Sequence, residues 1–416
     1  MIIGRGSAAS VLAEQDVHDL CSQAFEAGGL TGKRILVVLP DNTRTAPIDL
    51  VFRMLYRVLA DRVKTLDVLF ALGTHPQMDD NEMDRRLGVE AEGKHRAYPK
   101  ARFFNHQWDD ASQLRLIGTV SADEMESLSG GLMRQEVPIT VNSRIFEYDI
   151  LMPVGPTYPH EVFGFSGGVK YFFPGICGKE IIDALHWLGA LLTSSAIIGT
   201  KDTPVRRLAN RAASFIPIDT VCLNLTVKGK ALAGLFIGPP QETFEAAAAV
   251  SNQIHIEYRP KPFQTVVACA PAMYTDLWTG AKCAYKTEPV VADGGEIIIV
   301  APHLTEISAT HGPVIERIGY HVLDYFVKQM EKFSDIPRGI LAHSTHVKGL
   351  GTFENGIEKP RNRVTLATGI PEHACARVNL GYRDRRIFDL DDWRNREGEG
   401  ILFVEKAGET LYRLKK

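Results

Sequence analysis

The strongest constraint on the fold is the alternation of strand-length apolar runs with helical segments early in the chain. Residues 34–39 and 66–71 are apolar runs of strand length, and residues 47–62 between them carry apolar side chains at helical spacing. Strands that alternate with helices predict a doubly wound, largely parallel sheet. We therefore expect an α/β fold.

Side chains capable of chemistry follow three of the predicted strands. Asp41 and Arg44 come directly after the first strand, His75 follows the second, and His160 follows the strand at residues 148–154. Open α/β sheets bind their ligands at the carboxyl ends of the strands. The position of these four residues therefore predicts a functional site at that edge of the sheet.

A glycine-rich segment, residues 158–187, extends this pattern. It contains the run Gly-Phe-Ser-Gly-Gly-Val-Lys at 164–170, with His160 near its start and His186 near its end. Glycines cluster where the backbone takes positive φ or approaches another group closely. Lys170 adds a nucleophilic amine, and the histidines add a proton carrier and a candidate metal ligand. The segment is therefore the centre of the predicted site.

The second half of the chain repeats the α/β pattern. The sequence predicts strands at residues 265–270, 296–301 and 339–343, one long helix at 313–332, and a terminal hairpin at 401–414. A second domain with its own largely parallel sheet is therefore expected.

The predicted domain limits follow from a break in regular structure. Tyr-Arg-Pro-Lys-Pro at 258–262 interrupts the pattern, so residues 1–257 are predicted as the N-terminal domain and residues 258–399 as the C-terminal domain. A return of the tail, about residues 400–416, to the first domain is left open. We expect helices on both sheets and an active site in the cleft between the domains.

Composition excludes several classes of function. Lysine and arginine number 47 and aspartate and glutamate number 50, a net charge of −3, so nucleic acid is not an expected partner. The chain has no apolar run of membrane-spanning length and no apolar core of a secretion signal near its start. The six cysteines are scattered without a C-x-x-C pair, which favours free thiols in a reducing cytoplasm. A cytoplasmic protein without a membrane partner is expected, and the oligomeric state is left open.

The glycine-rich run permits more than one chemistry. It lacks the GK[ST] ending and the G-x-G-x-x-G spacing, so common nucleotide-binding loops are excluded. Residues 164–168 fit G-x-S-x-G, which would make Ser166 a nucleophile with His160 as its base, but that elbow normally follows a strand directly. Lys170 could instead form a Schiff base. A hydrolase therefore stays open as an alternative.

Three motifs in this order match a known family. Residues 41–44 fit D-x-T-R, residues 73–75 are G-T-H, and Pro-His at 159–160 leads through the glycine-rich run to Pro-Gly at 174–175. With these motifs the sequence resembles the nickel-dependent lactate racemase family over most of its length. The separations of His160, Lys170 and His186 also match that family. The resemblance implies an isomerase that carries a nickel-pincer nucleotide.

The resemblance also implies a role for each site residue. His75 and His160 would be the two acid/base catalysts, Lys170 would hold the cofactor covalently, and His186 would bind nickel. The other cofactor-binding residues would be Asp41, Arg44, Ser166, Gly167 and Gly168, and the substrate-binding residues would be Arg44, Lys282 and Thr279. The first domain would carry the cofactor and Lys282 would reach across from the second. The implied reaction inverts C2 of a 2-hydroxy acid by reversible hydride transfer through a 2-keto acid, and cofactor-assembly enzymes would be partners.

Several positions depart from the family pattern. Thr45 stands where the family has proline, Pro76 stands where it has arginine, and Thr279 stands where it has glutamine. These positions belong to the family's substrate pocket region, so the substrate is left open between lactate and a bulkier or more polar 2-hydroxy acid, including a sugar acid. A non-catalytic carrier of the nickel-pincer cofactor is the competing class, because a shared fold does not by itself establish activity.

Overall fold

The structure, a computed structural model, describes residues 1–415. Its chain divides into two compact units. Unit 1 comprises Met1–Tyr158, Phe165–Ile182 and Arg206–Ile254, and unit 2 comprises Pro159–Gly164, Asp183–Val205 and the chain from His255 onward. Unit 2 thus takes two segments from the first half of the chain. The predicted domains, residues 1–257 and 258–399, are each continuous in sequence, and their limits stay a prediction.

Strands and helices alternate over most of the chain. The strands are β1 (Ile3–Gly6), β2 (Arg34–Pro40), β3 (Thr65–Ala71), β4 (Phe103–Asn105), β5 (Leu114–Val120), β6 (Val137–Asn142), β7 (Ile150–Pro156), β8 (Pro159–His160), β9 (Gly164–Phe165), β10 (Asp219–Thr220), β11 (Cys222–Lys228), β12 (Ala231–Gly238), β13 (Ile256–Arg259), β14 (Phe263–Cys269), β15 (Val291–Ala301), β16 (Gly351–Glu354), β17 (Ile357–Pro360), β18 (Arg363–Thr368), β19 (Gly381–Tyr382), β20 (Ile401–Val404) and β21 (Leu411–Leu414).

The α-helices are mostly short. They are α1 (Glu14–Ala27), α2 (Ile48–Leu59), α3 (Asp80–Leu87), α4 (Lys94–Ala97), α5 (Ala122–Ser129), α6 (Lys179–Leu192), α7 (Ser194–Ile197), α8 (Pro204–Ala213), α9 (Pro240–His255), α10 (Leu277–Gly280), α11 (Lys282–Tyr285), α12 (Gly312–Ile318), α13 (Leu323–Val327), α14 (Arg338–Lys348) and α15 (Glu372–Arg377). None of the helices within residues 1–415 is long and apolar enough to cross a lipid bilayer.

Unit 1 is built on an eight-stranded sheet. Its strand order is β1-β12-β11-β7-β2-β3-β4, with β10 also paired to β7. Strands β11, β7, β2, β3 and β4 run parallel, and β12 and β1 add an antiparallel edge. Strand β2 is buried along almost its whole length, as expected for a parallel strand covered on both faces. The predicted α/β fold is confirmed.

Unit 2 contains a smaller sheet with all of its strands parallel. Its order is β19-β18-β15-β14-β20. The predicted hairpin at 401–414 is wrong, because β20 pairs with β14 and β21 pairs with β13, both in parallel. The tail therefore pairs with strands of unit 2. A return of the tail to the first domain is the alternative that the sequence leaves open.

Two further predictions in unit 2 are wrong. Residues 339–343, predicted as a strand, lie in helix α14, since a short apolar run does not distinguish a buried strand from a buried helix. Residues Ile340 to Lys348 are all buried, so this part of the helix has no solvent-exposed face that a polar stripe could mark. The long helix predicted at 313–332 ends at Gly319, which takes a φ of 74°, and resumes as α13.

Candidate active site

The loop after β2 is held by a buried aspartate. Asp41 accepts hydrogen bonds at Oδ1 from the Thr43 backbone nitrogen at 3.1 Å and from the Thr43 hydroxyl at 2.7 Å. Arg44 donates in turn to the Thr43 hydroxyl at 3.1 Å. A side chain that binds backbone two residues on closes a tight turn. The loop therefore presents Asp41 and Arg44 together at the carboxyl end of β2.

His75 is bound to the same aspartate. Its Nδ1 makes a short hydrogen bond with Oδ2 of Asp41. Burial raises the pKa of Asp41, but the charge and hydrogen bond of His75, with Arg44 nearby, outweigh burial and hold that pKa below its ordinary value. A carboxylate on Nδ1 fixes the orientation of the ring and leaves Nε2 as the nitrogen that can exchange a proton with a ligand. The structure thus brings Asp41, Arg44 and His75 together.

The glycine-rich run forms a tight turn before Lys170. Gly167 takes a φ of 89°, and a Cβ there would lie 2.4 Å from the Thr157 hydroxyl oxygen. Only glycine fits such a position without displacing its neighbour. The Gly168 backbone nitrogen donates to Oδ1 of Asn224 at 2.7 Å. Lys170 is half-buried and lies in an otherwise buried 3-10 turn that spans Gly168–Tyr171.

Ser166 has a structural task within this turn. Its hydroxyl donates to the carbonyl of Pro156 at 2.8 Å and accepts from the backbone nitrogen of Tyr158 at 2.9 Å. The side chain is buried. A nucleophile needs its hydroxyl proton directed at a general base. This hydrogen bonding therefore weighs against Ser166 as the nucleophile of a hydrolase.

Backbone contacts join the His75 loop to the Lys170 loop. Gly73 donates to the carbonyl of Gly175 at 3.0 Å, and Gly175 donates to the carbonyl of Lys170 at 3.3 Å. Burial raises the pKa of the Tyr171 phenol, and the charges of Arg44 and Asp41 also act on it. The D-x-T-R loop, the G-T-H loop and the lysine turn therefore lie side by side in unit 1.

Two buried arginines support these loops, and the sequence analysis did not single them out. Arg86 on α3 donates to the carbonyls of Pro40 at 3.1 Å and Arg44 at 3.0 Å, and burial lowers its pKa to about 10. Arg206 on α8 donates to the carbonyls of Phe165 and Gly167, the latter at 2.9 Å. Neither arginine belongs to a motif, so only their burial in the folded chain identifies them.

His160 lies in unit 2 with a different ring environment. Its Nδ1 accepts the backbone N–H of Val162 at 3.1 Å, and Glu161 lies 3.5 Å from the same nitrogen. An imidazole whose Nδ1 accepts carries its proton on Nε2 when it is neutral. In the neutral state His160 therefore presents an Nε2–H donor, whereas an Nδ1–H bond to Asp41 leaves His75 with an Nε2 acceptor.

His186 lies on α6 beside helix α14. The backbone nitrogen of Gly339 donates to Oδ1 of Asp183 at 2.8 Å, and a Cβ on Gly339 would lie 3.9 Å from the Cβ of His186. His343 and His346, on the same helix, are buried, and burial lowers the pKa of His346 to about 4. The charge of His186 acts on both of these rings. This histidine cluster has no sequence motif and follows from the helical course of α14.

Lys282 and Thr279 occupy neighbouring short helices in unit 2. The Lys282 ammonium lies 4.6 Å from the centroid of the Tyr274 ring. The Thr279 hydroxyl donates to Asp276, with Oδ1 at 2.9 Å, and Asp276 caps helix α10. Thr279 is buried, and its hydroxyl supports the local backbone, while its place in a substrate pocket stays a prediction.

The comparisons with known proteins agree with these motifs. Residues 17–199 match the family model described as lactate racemase N-terminal domain. A curated lactate racemase from Thermoanaerobacterium thermosaccharolyticum is 25% identical over 277 residues, which cover 65% of this chain and 60% of that relative's length. The chain thus spans less than two thirds of this relative.

Two solved structures share the fold. A crystal structure of a protein from Thermotoga maritima is 33% identical, covers 97% of this chain and 99% of its own, and superposes with a TM-score of 0.89. The lactate racemase apoprotein from Thermoanaerobacterium thermosaccharolyticum is 18% identical, covers 99% of this chain and 94% of its own, and has a TM-score of 0.72. At that identity the second likeness concerns the fold alone.

Proposed function

Because the chain belongs to the lactate racemase-like family, we propose that it is a racemase or epimerase that inverts C2 of a 2-hydroxy acid with a nickel-pincer nucleotide. The observation that carries the proposal is the hydrogen bond between buried Asp41 and His75 next to the Lys170 turn. A buried carboxylate that orients an imidazole is a device for general acid–base catalysis. An isomerase that only exchanges configuration at one carbon needs such groups.

The residues present fit the cofactor that the family implies. Lys170 offers a primary amine directly after a turn in which Gly167 leaves no room for a side chain. Within residues 1–415 no three His, Cys, Asp or Glu side chains are arranged to hold a metal ion, so a nickel at His186 would take its other donors from the cofactor. The bound cofactor would supply a reversible hydride acceptor for the hydrogen on C2. Gly168, Asp41 and Arg44 would line its site.

The two histidines would divide the proton chemistry. His75, oriented by Asp41, would remove the hydroxyl proton of the substrate as C2 becomes planar. His160 would protonate that oxygen when the hydrogen returns to the other face, and the reverse reaction would exchange the two roles. For this division of roles His75 would begin as the neutral imidazole, whose Nδ1–H bond to Asp41 leaves Nε2 as the acceptor, and His160 would begin as the imidazolium with a proton to donate.

Cationic side chains would bind the substrate carboxylate. Arg44 and Lys282 are the proposed carboxylate ligands, since a guanidinium or an ammonium makes strong charge-assisted hydrogen bonds to a carboxylate. Thr279 is the proposed neighbour of Lys282 in that pocket. With threonine at 45 and 279, the proposed substrate is a 2-hydroxy acid that differs from lactate in size or polarity.

Three alanine variants test this mechanism in protein produced with the cofactor-assembly machinery. His75→Ala and His160→Ala should each lower turnover in both directions by about 10²–10⁴-fold and keep the metal and the Lys170 adduct. His186→Ala should lose nickel instead, and His373→Ala, an exposed histidine, is the matched control. The assay is chiral chromatography over a panel of 2-hydroxy acids, with nickel content and intact mass measured alongside. Near wild-type racemisation by His160→Ala would contradict the two-base scheme.

An isotope experiment distinguishes hydride transfer from proton abstraction. A substrate deuterated at C2 should keep its deuterium through inversion in ordinary water, because the hydrogen never exchanges with solvent. Loss of the label would reject hydride transfer. An adduct on Lys170 without turnover on any acid of the panel would favour the carrier alternative.

A further inference from the structure

We propose that Arg206 is a positioning residue that holds the glycine-rich turn in the shape that presents Lys170. This inference rests on the proposed function for the task of Lys170. Arg206 lies near the start of α8, and its guanidinium donates through Nη1 to the carbonyl of Gly167 and through Nη2 to the carbonyl of Phe165. The two acceptors flank Ser166, so the guanidinium bridges one turn of the chain.

One of the carbonyls that Arg206 binds is also hydrogen-bonded to the backbone of Lys170. The carbonyl of Gly167 accepts from Nη1 of Arg206 at 2.9 Å and also from the backbone nitrogen of Lys170 at 3.3 Å. A Cβ on Gly168 would lie 3.4 Å from the same Nη1. A shift of the guanidinium would therefore move the carbonyl that anchors the 3-10 turn.

The burial of Arg206 favours a positioning task over a general stabilising one. The residue is 3% exposed, and its guanidinium lies 3.9 Å from the centroid of the Phe244 ring. Burying a charge is unfavourable unless its donors find well-placed acceptors. The planar fork of arginine can reach two carbonyls at once, whereas a lysine ammonium is a flexible point charge that cannot reproduce this geometry. The position therefore calls for arginine and not for positive charge alone.

The test compares two arginines of the same helix. Arg206→Lys keeps the charge and removes the fork. Arg211→Lys is the matched control, because Arg211 also lies over a phenylalanine ring, at 4.1 Å from Phe215, but pairs with Glu124 in a more accessible position. Amide hydrogen exchange of residues 164–171 in the apoprotein is compared with exchange of β2 in the same molecule.

In Arg206→Lys, the ratio of the amide exchange rate of residues 164–171 to that of β2 should rise at least about tenfold over its wild-type value. In Arg211→Lys this ratio should stay unchanged. The rate of adduct formation on Lys170, measured by intact mass with the cofactor-assembly machinery, should fall by a similar factor in Arg206→Lys alone. Equal acceleration of both segments, or wild-type exchange and loading, would overturn the proposal. If wild-type protein gains no adduct, the proposed function fails, and the exchange ratio still decides whether Arg206 holds the turn.

Discussion

The bond between Asp41 and His75 makes a quantitative prediction that needs no cofactor. Asp41→Asn and His75→Gln, made singly and together, form a double-mutant cycle for the free energy of unfolding. The pair is buried on the Asp41 side and is a charge-assisted hydrogen bond, for which the expected coupling is about 1.5–3 kcal/mol at pH 7. The exposed pair of His18 and Asp19, at 3.3 Å, is the matched control, and its coupling should be much weaker because solvent screens an exposed pair.

The pH dependence of this coupling follows from the direction of the Asp41 shift. The pKa of Asp41 in the folded protein lies below its ordinary value, so the carboxylate contributes stability above the unfolded-state pKa of about 3.9. That contribution is lost as pH falls through the lower folded-state pKa. The share of the coupling that depends on the Asp41 charge should therefore weaken only at pH values below about 4.

Urea denaturation followed by fluorescence and circular dichroism measures the cycle, and coincident transitions check that one free energy describes unfolding. In loaded enzyme, Asp41→Asn should also lower turnover by up to about 10²–10⁴-fold, the contribution of the acid/base that it orients. Coupling below about 0.5 kcal/mol at pH 7 would refute the role of Asp41, since that is less than a charge-assisted hydrogen bond contributes.

Three further predictions concern the same unit. Ser166→Ala should lower the free energy of unfolding by about 1–3 kcal/mol, because the buried backbone nitrogen of Tyr158 loses this acceptor, yet it should retain turnover, whereas a hydrolase nucleophile would lose it. Gly167→Ala should destabilise the protein more than Gly130→Ala by about 1–3 kcal/mol, because both glycines take positive φ but only a Cβ at 167 would meet a close neighbour. Equal losses in urea denaturation would reject the close approach of Gly167 to Thr157. Burial lowers the pKa of His106 to about 4, below the unfolded value of about 6.5. The free energy of unfolding should therefore fall by up to about 3 kcal/mol between about pH 6.5 and about pH 4, and His106→Gln should reduce this dependence of stability on pH.

Much of the site could be predicted because its residues follow local patterns. Asp41, Arg44 and His75 stand directly after strand-length apolar runs, and parallel strands gather such positions at one edge of the sheet. The glycines around Ser166 and Lys170 also mark a backbone that side chains would obstruct. Strand-length apolar runs and the clustering of glycines are features of the local sequence, so they are visible without the fold.

Secondary structure was predicted less well in unit 2. The run Gly-Ile-Leu-Ala-His at 339–343 is too short to separate a buried strand from a buried helix, and α14 is buried along most of its length. Its histidines therefore had no pattern to place them near His186. The pairing of β20 and β21 with earlier strands likewise depends on contacts far away in sequence.

By itself the sequence determined the α/β class, the order of the strand-end motifs and the glycine turn that carries Lys170, because each depends on residues close together in the chain. Only the tertiary structure decided that Asp41 binds His75 across 34 residues and that Arg206 binds Gly167 across 39. It also decided that the Ser166 hydroxyl supports the backbone and that Arg86 is buried beneath the D-x-T-R loop. The physical reason is that hydrogen-bond partners and burial are set by packing, which brings together residues that no local pattern relates.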